Sequence, residues 1–400
     1  MRFWVGAYAP DTGSAEGIGI LQAGESGALG ASGPLGMVST AVAVPGSPSW
    51  VAEHPTNADI LYAAVEFDGT VQAFRRTGET RLTPLGPPVE AGGAVCHIAV
   101  SPDASFLVAS CWGDGRVVRM ALDGQGRPFR LDIAAAAADP HAAPSDEGAV
   151  STGARVSGAV VPDLAAAARA LREAAGEEFS HLIPAYDDVP VTDAESEEAA
   201  AGARVSRAHQ TVFLPGGLIA TTDMGFDLVR FWRAHEDGLR LVQDVVLPKG
   251  SGPRHGLWHP SGHLYVVTEL SCEVFVLSPD RTGRWHVVSG QPLLGTLDTD
   301  TAAELSSSRD GSTLYAGVRG SDTVGVLSVR GHGEELQLLA LAETGTHWPR
   351  HHLVVDDTLL VAGQLAHEIV SLPLDARTGI PGKVRHRTPS PSPTRLLPMR

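Results

Sequence analysis

Several side chains that can transfer protons or hold an anion lie beside short apolar runs, at matching distances on either side of a tight turn. His209 and Asp223 flank one turn, Arg254 and Glu269 flank the next, and Arg319 takes the same place one turn later. A histidine titrates near neutrality and can take a proton from water, an arginine can stabilise an oxyanion, and a carboxylate is a second acid or base. These residue types together favour the hydrolysis of an ester.

The residues belong to a sequence unit that recurs along the chain. Each unit holds a turn, a short apolar run, one conspicuous residue, a small polar gap and a second apolar run. The turns recur at intervals of 45–50 residues, the length of a four-stranded antiparallel blade, and about seven blades form a β-propeller. A seventh, degenerate copy opens the chain at Phe3, and six full copies begin at His54, Ser101, Leu214, His259, Ser308 and Val355.

These repeats predict an all-β fold, a seven-bladed β-propeller that forms a single domain over residues 1–400. A β-sandwich with coincidental turns is the alternative, and the number of aligned copies argues against it. The degenerate first copy lacks a partner turn of its own. We therefore expect its strand to complete a blade begun by the C-terminal repeat, which closes the ring and removes exposed sheet edges.

One segment breaks the period and is interpreted as an insertion into the propeller, over about residues 132–205. Asp163 can cap a helix that runs to about Ala175, because its carboxylate can accept from the free amides of the first turn. The rest of the segment has a low-complexity composition that is typical of disorder. A surface excursion is favoured over a functional lid, since long loops tolerate insertion.

The conspicuous residue of each unit is polar or aromatic in every copy. In an antiparallel hairpin, residues at equal distances from the turn face each other, so Arg254 is expected beside Glu269. The same count predicts the pairs His209–Asp223, Glu304–Arg319, Arg350–Gln364 and, more loosely, His97–Trp112. All blades of a propeller have the same orientation, so these pairs should converge on one mouth of the channel. The full set of conspicuous residues is Tyr8, Glu66, Trp112, Asp223, Glu269, Arg319 and Gln364.

A structural reading of each pair is a satisfied cross-strand ion pair, worth under about 1 kcal/mol. A structural device would be uniform from blade to blade. Here each blade carries different chemistry at one mouth, which is typical of a concave site that surrounds one ligand.

The segments that carry these residues resemble the seven-bladed propeller lactonases, the group of bacterial 6-phosphogluconolactonases and fungal carboxymuconate cyclases. The similarity lies in GSGPRHGLWHP with VTEL, in AELSSSRDGSTLYAGVRGSDTV, in HWPRHHLVVDD, and in HQTVFLPGG with TDMGFD. It covers most of the chain outside the insertion. Its most specific part is GPRH with a glutamate fifteen residues after the arginine. The resemblance implies that His209, Arg254, Glu269 and Arg319 are the catalytic residues.

The chain departs from the pattern of that family in three respects. Arg207 stands where the family often has a second histidine. The usual asparagine before three of the conspicuous residues is replaced, by Val65, Thr268 and Val318. The insertion is also far longer than usual. These departures bear on the substrate rather than on the fold.

The expected reaction is the hydrolysis, or in reverse the formation, of the lactone of a small anionic sugar acid or related carboxylate, without metal or cofactor. His209, oriented by Asp223, is the expected base, and Glu269 is the second acid–base candidate. Arg254 and Arg319 are suited to the oxyanion and to a carboxylate or phosphate of the substrate. The residues expected to bind the substrate are His97, Trp112, Asp223, His255, Glu304, Arg350 and Glu66.

Other functions stay open at this point. A carboxymuconate-type cyclase would form the lactone. A catalytically idle propeller would bind a ligand or a protein on the same mouth, and the replaced asparagines favour it. A metal-dependent gluconolactonase-type hydrolase would need a zinc site. The candidates for it are His347, His351 and His352, which have no carboxylate at a fixed spacing.

Composition excludes some classes of function. The chain has 30 basic and 46 acidic residues, a net charge of −16, which argues against binding to nucleic acid or to an anionic membrane. Cys96, Cys111 and Cys272 lack metal-binding spacing, so buried free thiols in a reducing compartment are expected. No secretory leader or spanning apolar run is seen, so we expect a cytoplasmic protein of carbohydrate metabolism. The sequence makes no prediction about oligomeric state.

Overall fold

The computed structural model describes residues 1–9, 13–25, 27–142 and 204–400. In these residues 29 strands form seven antiparallel sheets, six with four strands and one with five. The prediction of an all-β seven-bladed propeller is confirmed. No helix in the described part of the chain is long and apolar enough to cross a bilayer.

The first blade joins the two ends of the chain. It contains β1 (Arg2–Ala7), β2 (Gly17–Ala23) and β3 (Leu35–Ala43), and its innermost strand is β29 (Pro393–Pro398). The predicted closure of the ring is confirmed, with three strands from the N-terminal side and one from the C-terminal side.

Consecutive strands form the other blades, β4–β8, β9–β12, β13–β16, β17–β20, β21–β24 and β25–β28. A short 3-10 turn, Pro215–Gly217, joins β13 to β14. The strands are β4 (Pro48–His54), β5 (Asn57–Val65), β6 (Thr70–Arg76), β7 (Leu82–Pro84), β8 (Val89–Glu90), β9 (Val95–Val100), β10 (Phe106–Cys111), β11 (Val117–Leu122), β12 (Pro128–Ile133), β13 (Ala208–Leu214), β14 (Leu218–Asp223), β15 (Leu228–His235), β16 (Gly238–Val246), β17 (Pro253–Trp258), β18 (Leu264–Thr268), β19 (Glu273–Pro279), β20 (Trp285–Pro292), β21 (Thr301–Ser307), β22 (Thr313–Arg319), β23 (Thr323–Arg330), β24 (Glu335–Glu343), β25 (Pro349–Val355), β26 (Thr358–Gly363), β27 (Glu368–Pro373) and β28 (His386–Pro389).

The position of a strand in its blade explains its sequence. Every residue of β22 is buried, because neighbouring blades cover both faces of a second strand. The outermost strand β24 instead alternates between exposed and partly buried positions. The apolar cores lie between successive blades, as where Tyr265 and Val267 of β18 join Leu314 and Ala316 of β22. The innermost strands of the seven described blades therefore line a central channel.

A repeated tyrosine ties blades together. Tyr62, Tyr265 and Tyr315 occupy the same place in their second strands, and each hydroxyl donates to a glycine carbonyl 64 to 68 residues further along the chain, at 2.7–2.9 Å. Because each acceptor lies in an outer turn of the next blade, the bond fixes the rotation of one blade relative to the next.

The predicted insertion is shorter than residues 132–205. Asp132 lies in β12 and accepts a hydrogen bond from Arg119 Nη1 at 3.3 Å, so it belongs to the sheet. Arg204 Nη1 lies 2.7 Å from Asp139 Oδ1, which brings the two chain segments together. All seven sheets belong to one compact unit, residues Met1–Pro140 with Arg204–Arg400. The predicted helix and low-complexity segment lie outside the described residues, so a single domain over 1–400 stays a prediction.

Candidate active site

A break in register occurs near the start of the innermost strand in all seven described blades. In the ladder between β17 and β18, Pro253 faces Thr268 and His255 faces Val267, so Arg254 is an extra residue. Such a β-bulge bends the strand and re-aims a side chain. The other six ladders break in the same way. When the register of the regular part of each ladder is continued to the break, the extra residues are Ser49, Cys96, His209, Ala303, Arg350 and Thr394.

The bulges sort the channel-facing side chains into two layers. We define the upper layer as the bulge residues and the lower layer as the residue that follows each of them. The lower layer consists of Trp50, His97, Gln210, His255, Glu304, His351 and Arg395. Successive residues of one strand thus serve two different clusters.

A small cavity lies where the two layers meet, and we call it the upper cavity. Its volume of about 20 Å³ is enough for roughly one water molecule. It therefore accommodates one polar group of a ligand rather than a whole sugar ring. Its walls are Ser49, Trp50, Glu66, Cys96, His209, Arg254, His255, Arg350 and Thr394.

Glu269 contacts Arg254 of the upper layer and Arg319 of β22. Its Oε2 lies 2.8 Å from Arg254 Nε and 2.9 Å from Arg319 Nη2, which confirms the predicted Arg254–Glu269 pair. Burial would raise the pKa of Glu269, but Arg319 and Arg254 hold it below its usual value. Glu269 is therefore ionised at neutral pH and is a poor proton donor. Its structural effect is to fix both guanidinium groups.

Arg254 keeps its charge and has a free donor. Burial lowers the pKa of Arg254 to about 10, so the side chain remains a cation at neutral pH. Its Nη1 is buried and has no hydrogen-bond partner among the described residues, and its Nε, although 2.8 Å from Glu269, makes no aligned hydrogen bond either. An unpartnered buried donor costs stability unless something fills the site, so this atom is available to an anion or an oxyanion.

A second cluster contains Arg350, Tyr8 and Glu66. Arg350 donates from Nη1 to Gln364 Oε1 at 3.3 Å, which confirms that predicted pair, and from Nη2 to the Tyr8 hydroxyl at 2.5 Å. The Tyr8 hydroxyl donates to Glu66 Oε1 at 3.2 Å. Burial raises the pKa of Glu66, against the opposing effect of Arg350. The two carboxyls at this mouth thus differ, and Glu66 rather than Glu269 has the environment of a proton donor.

The lower layer is built around Glu304 and Trp50. Glu304 Oε1 lies 3.1 Å from His255 Nδ1, and its Oε2 lies 3.1 Å from His351 Nε2 and 4.0 Å from Arg395 Nη1. The Arg395 guanidinium lies 4.0 Å from the centre of the Trp50 ring. These side chains separate the upper cavity from a larger channel cavity of about 700 Å³, whose walls include Trp50, Glu304 and Arg395.

The predicted Glu304–Arg319 pair is wrong. The regular part of the ladder, where Leu305 faces Ala316, places Glu304 level with Gly317, and Arg319 faces Thr301. The equal-distance count was therefore centred on the wrong point of the turn. Glu304 therefore joins the lower layer with His255. Arg319 pairs with Glu269 instead and also donates from Nη2 to the Ala302 carbonyl at 3.2 Å.

The predicted orientation of His209 by Asp223 is also wrong. The Asp223 carboxylate accepts backbone N–H groups of Arg207, Gly225 and Phe226 at 2.9–3.1 Å, so it stabilises its own turn. His209 Nδ1 is buried and has no hydrogen-bond partner in the described ranges. His209 does line the upper cavity, as predicted, whereas Asp223 does not.

The predicted His97–Trp112 pair does not form. The His97 ring lies against Trp50, with 4.3 Å between ring centres, and belongs to the lower layer. Trp112 carries the Arg207 guanidinium 4.3 Å from its ring centre and is not part of the upper cavity wall. His97 faces Ser110 in the regular part of the ladder, and Trp112 N donates to the Ala94 carbonyl at 3.0 Å, so the equal-distance count was centred on the wrong point of the turn.

The site histidines are neutral at physiological pH. Burial, followed by the charge of Arg254, keeps the pKa of His209 well below its usual value. Burial lowers the pKa of His255 to about 4, although Glu304 opposes this shift. Both rings can therefore accept a proton at neutral pH.

The clustered histidines of the last blade do not converge. His347 Nδ1 lies 2.7 Å from Asp322, His351 contacts Glu304, and His352 Nε2 lies 3.0 Å from the Tyr315 carbonyl. In the part of the chain that the structure describes, no group of three or more His, Cys, Asp or Glu is placed to hold a metal ion. The three cysteines are free and buried, as predicted.

Sequence reasoning missed four of the nine residues of the cavity wall, namely Ser49, Trp50, Cys96 and Thr394, and it did not place Arg395 or His351 in the layer below. A signal for them exists. A proline stands directly before the bulge residue in four blades, at Pro48, Pro253, Pro349 and Pro393. Proline cannot donate to a ladder and is common at bulges, so these positions mark where the register changes.

The chain matches the family model described as lactonase, 7-bladed beta-propeller, over residues 2–149 and 186–398. It belongs to the seven-bladed propeller lactonase family. A 6-phosphogluconolactonase of Erwinia tasmaniensis is 26% identical over 330 residues, which are 80% of this chain and 92% of that protein. An uncharacterised protein of Lactococcus lactis is 30% identical over 184 residues, 44% of this chain, and the match spans only 53% of that relative.

Solved structures show the same fold. The periplasmic gluconolactonase of Pseudomonas aeruginosa superposes with a TM-score of 0.75 at 19% identity, over 100% of both chains. A Lactobacillus plantarum protein superposes with a TM-score of 0.74 at 18% identity, over 99% of this chain and 98% of the other. At identities of 18–19% these solved structures show the fold alone. The chemistry of the site follows from the side chains of this chain.

Proposed function

We propose that the protein hydrolyses the lactone of a small anionic sugar acid or related carboxylate at the upper cavity, without a metal. The observation that carries this proposal is the arrangement of Arg254, Arg319 and Glu269, with Arg254 Nη1 left free beside two neutral histidines. Membership in the lactonase family and the similarity to a 6-phosphogluconolactonase support the same reaction.

The first chemical step is attack by water on the lactone carbonyl carbon. The carbonyl oxygen becomes an oxyanion and binds at the Arg254 guanidinium, which is already fixed by Glu269 and needs no reorganisation. A neutral histidine of the cavity wall takes the proton from water. His209 is the base that the sequence predicts, and His255 is the other candidate.

The second step breaks the bond between the carbonyl carbon and the ring oxygen. The ring oxygen must gain a proton to leave as a hydroxyl group. Either the protonated histidine returns its proton or Glu66 supplies one, since burial raises the pKa of that carboxyl. The product is a hydroxy acid that ionises, so hydrolysis releases a proton to solvent. Lactone formation is the same route in reverse.

The anionic character of the substrate follows from the charges at this mouth. Three arginines, Arg254, Arg319 and Arg350, stand against the ionised Glu269 and a Glu66 whose pKa is raised. The mouth is thus locally positive in a chain of net charge −16. Arginine binds carboxylate and phosphate oxygens in the same bidentate way, so either group on the substrate fits.

The replaced asparagines do not remove a group from the site. Val65, Thr268 and Val318 are buried strand residues, and none of them lines the upper cavity. The replacement of these asparagines, which favoured a catalytically idle propeller, therefore leaves the proposed catalytic side chains in place.

A panel of lactones tests the proposal. Proton release is followed after mixing the EDTA-treated protein with 6-phosphogluconolactone, glucono-δ-lactone and a carboxymuconolactone, with denatured protein as the control for spontaneous hydrolysis. Turnover of at least one anionic lactone, unchanged by EDTA, is expected. Activity that EDTA removes and zinc restores would identify a metalloenzyme, and no turnover of any lactone would contradict the proposal.

A further inference from the structure

His255 is the histidine of the upper cavity that contacts a carboxylate. Its Nδ1 lies 3.1 Å from Glu304 Oε1, and both side chains are more than nine-tenths buried. The contact is bent relative to the N–H direction of the ring. Catalytic hydrogen bonds are often poorly aligned without substrate and tighten when it binds. Because Nδ1 is next to Glu304, Nε2 is the nitrogen left for the cavity.

His209 lacks such a neighbour. Its ring lies 5.1 Å from the ring of His255, so both face the same space. No hydrogen bond to its buried Nδ1 is found in the described residues. Its dominant charged neighbour is the cation Arg254, which opposes the gain of a second positive charge. A ring of this kind is suited to hydrogen bonding with the substrate rather than to proton uptake.

We propose that His255, positioned by Glu304, is the general base that takes the proton from the attacking water, an inference that rests on the lactone hydrolysis proposed above. The water oxygen forms a bond to the carbonyl carbon, and its proton moves to His255 Nε2. The bond from that carbon to the ring oxygen then breaks, and the imidazolium returns the proton to the ring oxygen. Water and lactone give one hydroxy acid, with no other reactant.

Glu304 is suited to this role by its position. It is the one group of opposite charge that faces His255 in the lower layer, so its charge beside Nδ1 stabilises the imidazolium that forms when Nε2 takes the proton. The other carboxylate oxygen lies 3.1 Å from His351 Nε2 and 4.0 Å from Arg395 Nη1 and makes no aligned hydrogen bond to either among the described residues. The charged and titratable groups that face His255 are Glu304, Arg254, Arg395, His97, His209 and His351.

The first test compares three buried histidines. His255→Gln should lower kcat by roughly 10²–10⁴-fold with little change in KM, because it removes the base and not a binding group. His209→Gln should act mainly on KM. His352→Gln is the matched control, since His352 is equally buried but contacts the Tyr315 carbonyl on the other face of β25. It should keep kcat within about twofold of wild type, as expected for a residue away from the chemistry.

The second test uses Glu304→Gln, a variant that keeps every histidine. In the wild type the acid limb of kcat/KM should lie near pH 4, where His255 becomes protonated. Removal of the Glu304 charge destabilises the imidazolium, so the limb should move to lower pH while kcat falls. A purely structural role of Glu304 would lower activity without moving the limb.

Side-chain nitrogen NMR of the histidines in the wild-type protein provides a third readout that does not depend on variant folding. His255 should be the Nδ1–H tautomer, with its lone pair on Nε2. An Nε2–H tautomer would overturn the proposal, as would near-wild-type kcat in His255→Gln, or a larger kcat loss in His209→Gln. A wild type that hydrolyses no lactone would instead refute the proposed function itself.

Discussion

Glu269, which is partly buried, and Glu304, which is buried, each lie between two basic side chains at 2.8–3.1 Å, yet these neighbours differ in one property. Glu269 lies between Arg254 and Arg319, whose charges are permanent at any physiological pH. Glu304 lies between His255 and His351, which burial keeps neutral at pH 7. The first cluster can only hold charge, whereas the second can gain and lose a proton.

The difference arises from a single step along the strand. Arg254 and His255 are consecutive, and the bulge directs the first to the upper layer and the second to the lower layer. One strand thus delivers an electrostatic group and a proton-transfer group to the same cavity wall. The bulge, which is repeated in each blade, therefore brings a permanently charged side chain and a titratable side chain to the same cavity wall.

The largest expected effect on stability is that of Glu269→Gln. It leaves Arg254 and Arg319 as neighbouring buried cations without a counter-charge, which should destabilise the fold by about 3–5 kcal/mol. Glu304→Gln should cost less, about 1–3 kcal/mol, because its histidine neighbours are neutral. Urea denaturation at pH 7 measures both. Equal losses would show that the two clusters do not differ in the way described.

The pH dependence of stability should separate the carboxyls at this mouth. The pKa of Glu269 is lower in the folded protein than its usual value, so its contribution is fully present above pH 4.5 and is lost as the pH falls through the folded value. Stability of the wild type should therefore decline as the pH falls below about 4.5, and Glu269→Gln should decline less steeply. A parallel decline in the two proteins would contradict the assignment.

Glu66→Gln should behave in the opposite way. Burial raises the folded pKa of Glu66, so its favourable contribution exists below the usual carboxyl range and is lost as pH rises through the folded value. At pH 7 the substitution should leave stability unchanged or raise it slightly, since a carboxyl whose ionisation is disfavoured by burial is replaced by a neutral amide. Thermal denaturation measures this, and a clear loss of Tm would show that Glu66 is a fully ionised partner of Arg350.

The smallest effect is expected from the insertion. Replacing residues 143–203 by a short Gly/Ser linker should leave the Tm within about 2 °C of wild type, because Arg204 and Asp139 already hold the flanking segments together. Asp132 and Ile133 must be kept, since they belong to β12. Loss of soluble protein would show that the insertion contributes to the core. Loss of activity with an unchanged Tm would instead identify it as a lid.

The sequence predicted the fold and the mouth that holds the site, because a repeat period and its turns are visible in one dimension. It also predicted the Arg254–Glu269 and Arg350–Gln364 pairs. It did not predict the partners of Glu304 and His97, because the turn centre assumed for their hairpins was displaced, which changes every pairing in the ladder. It did not predict the surroundings of His209, because the bulge adds one residue and moves Asp223 opposite Ala208. The prolines before Arg254 and Arg350 are the only local sign of that change in their blades.

The proposed function depends on the claim that the Arg254 guanidinium stabilises the oxyanion of a lactone, and Arg254→Ala removes that guanidinium alone. On the lactone that the wild type hydrolyses best, kcat/KM should fall at least about a hundredfold, roughly 3 kcal/mol of transition-state stabilisation. Arg254→Lys, which keeps the charge but not the fork, should recover part of the loss. A folded Arg254→Ala protein with the kcat/KM of the wild type would contradict the claim.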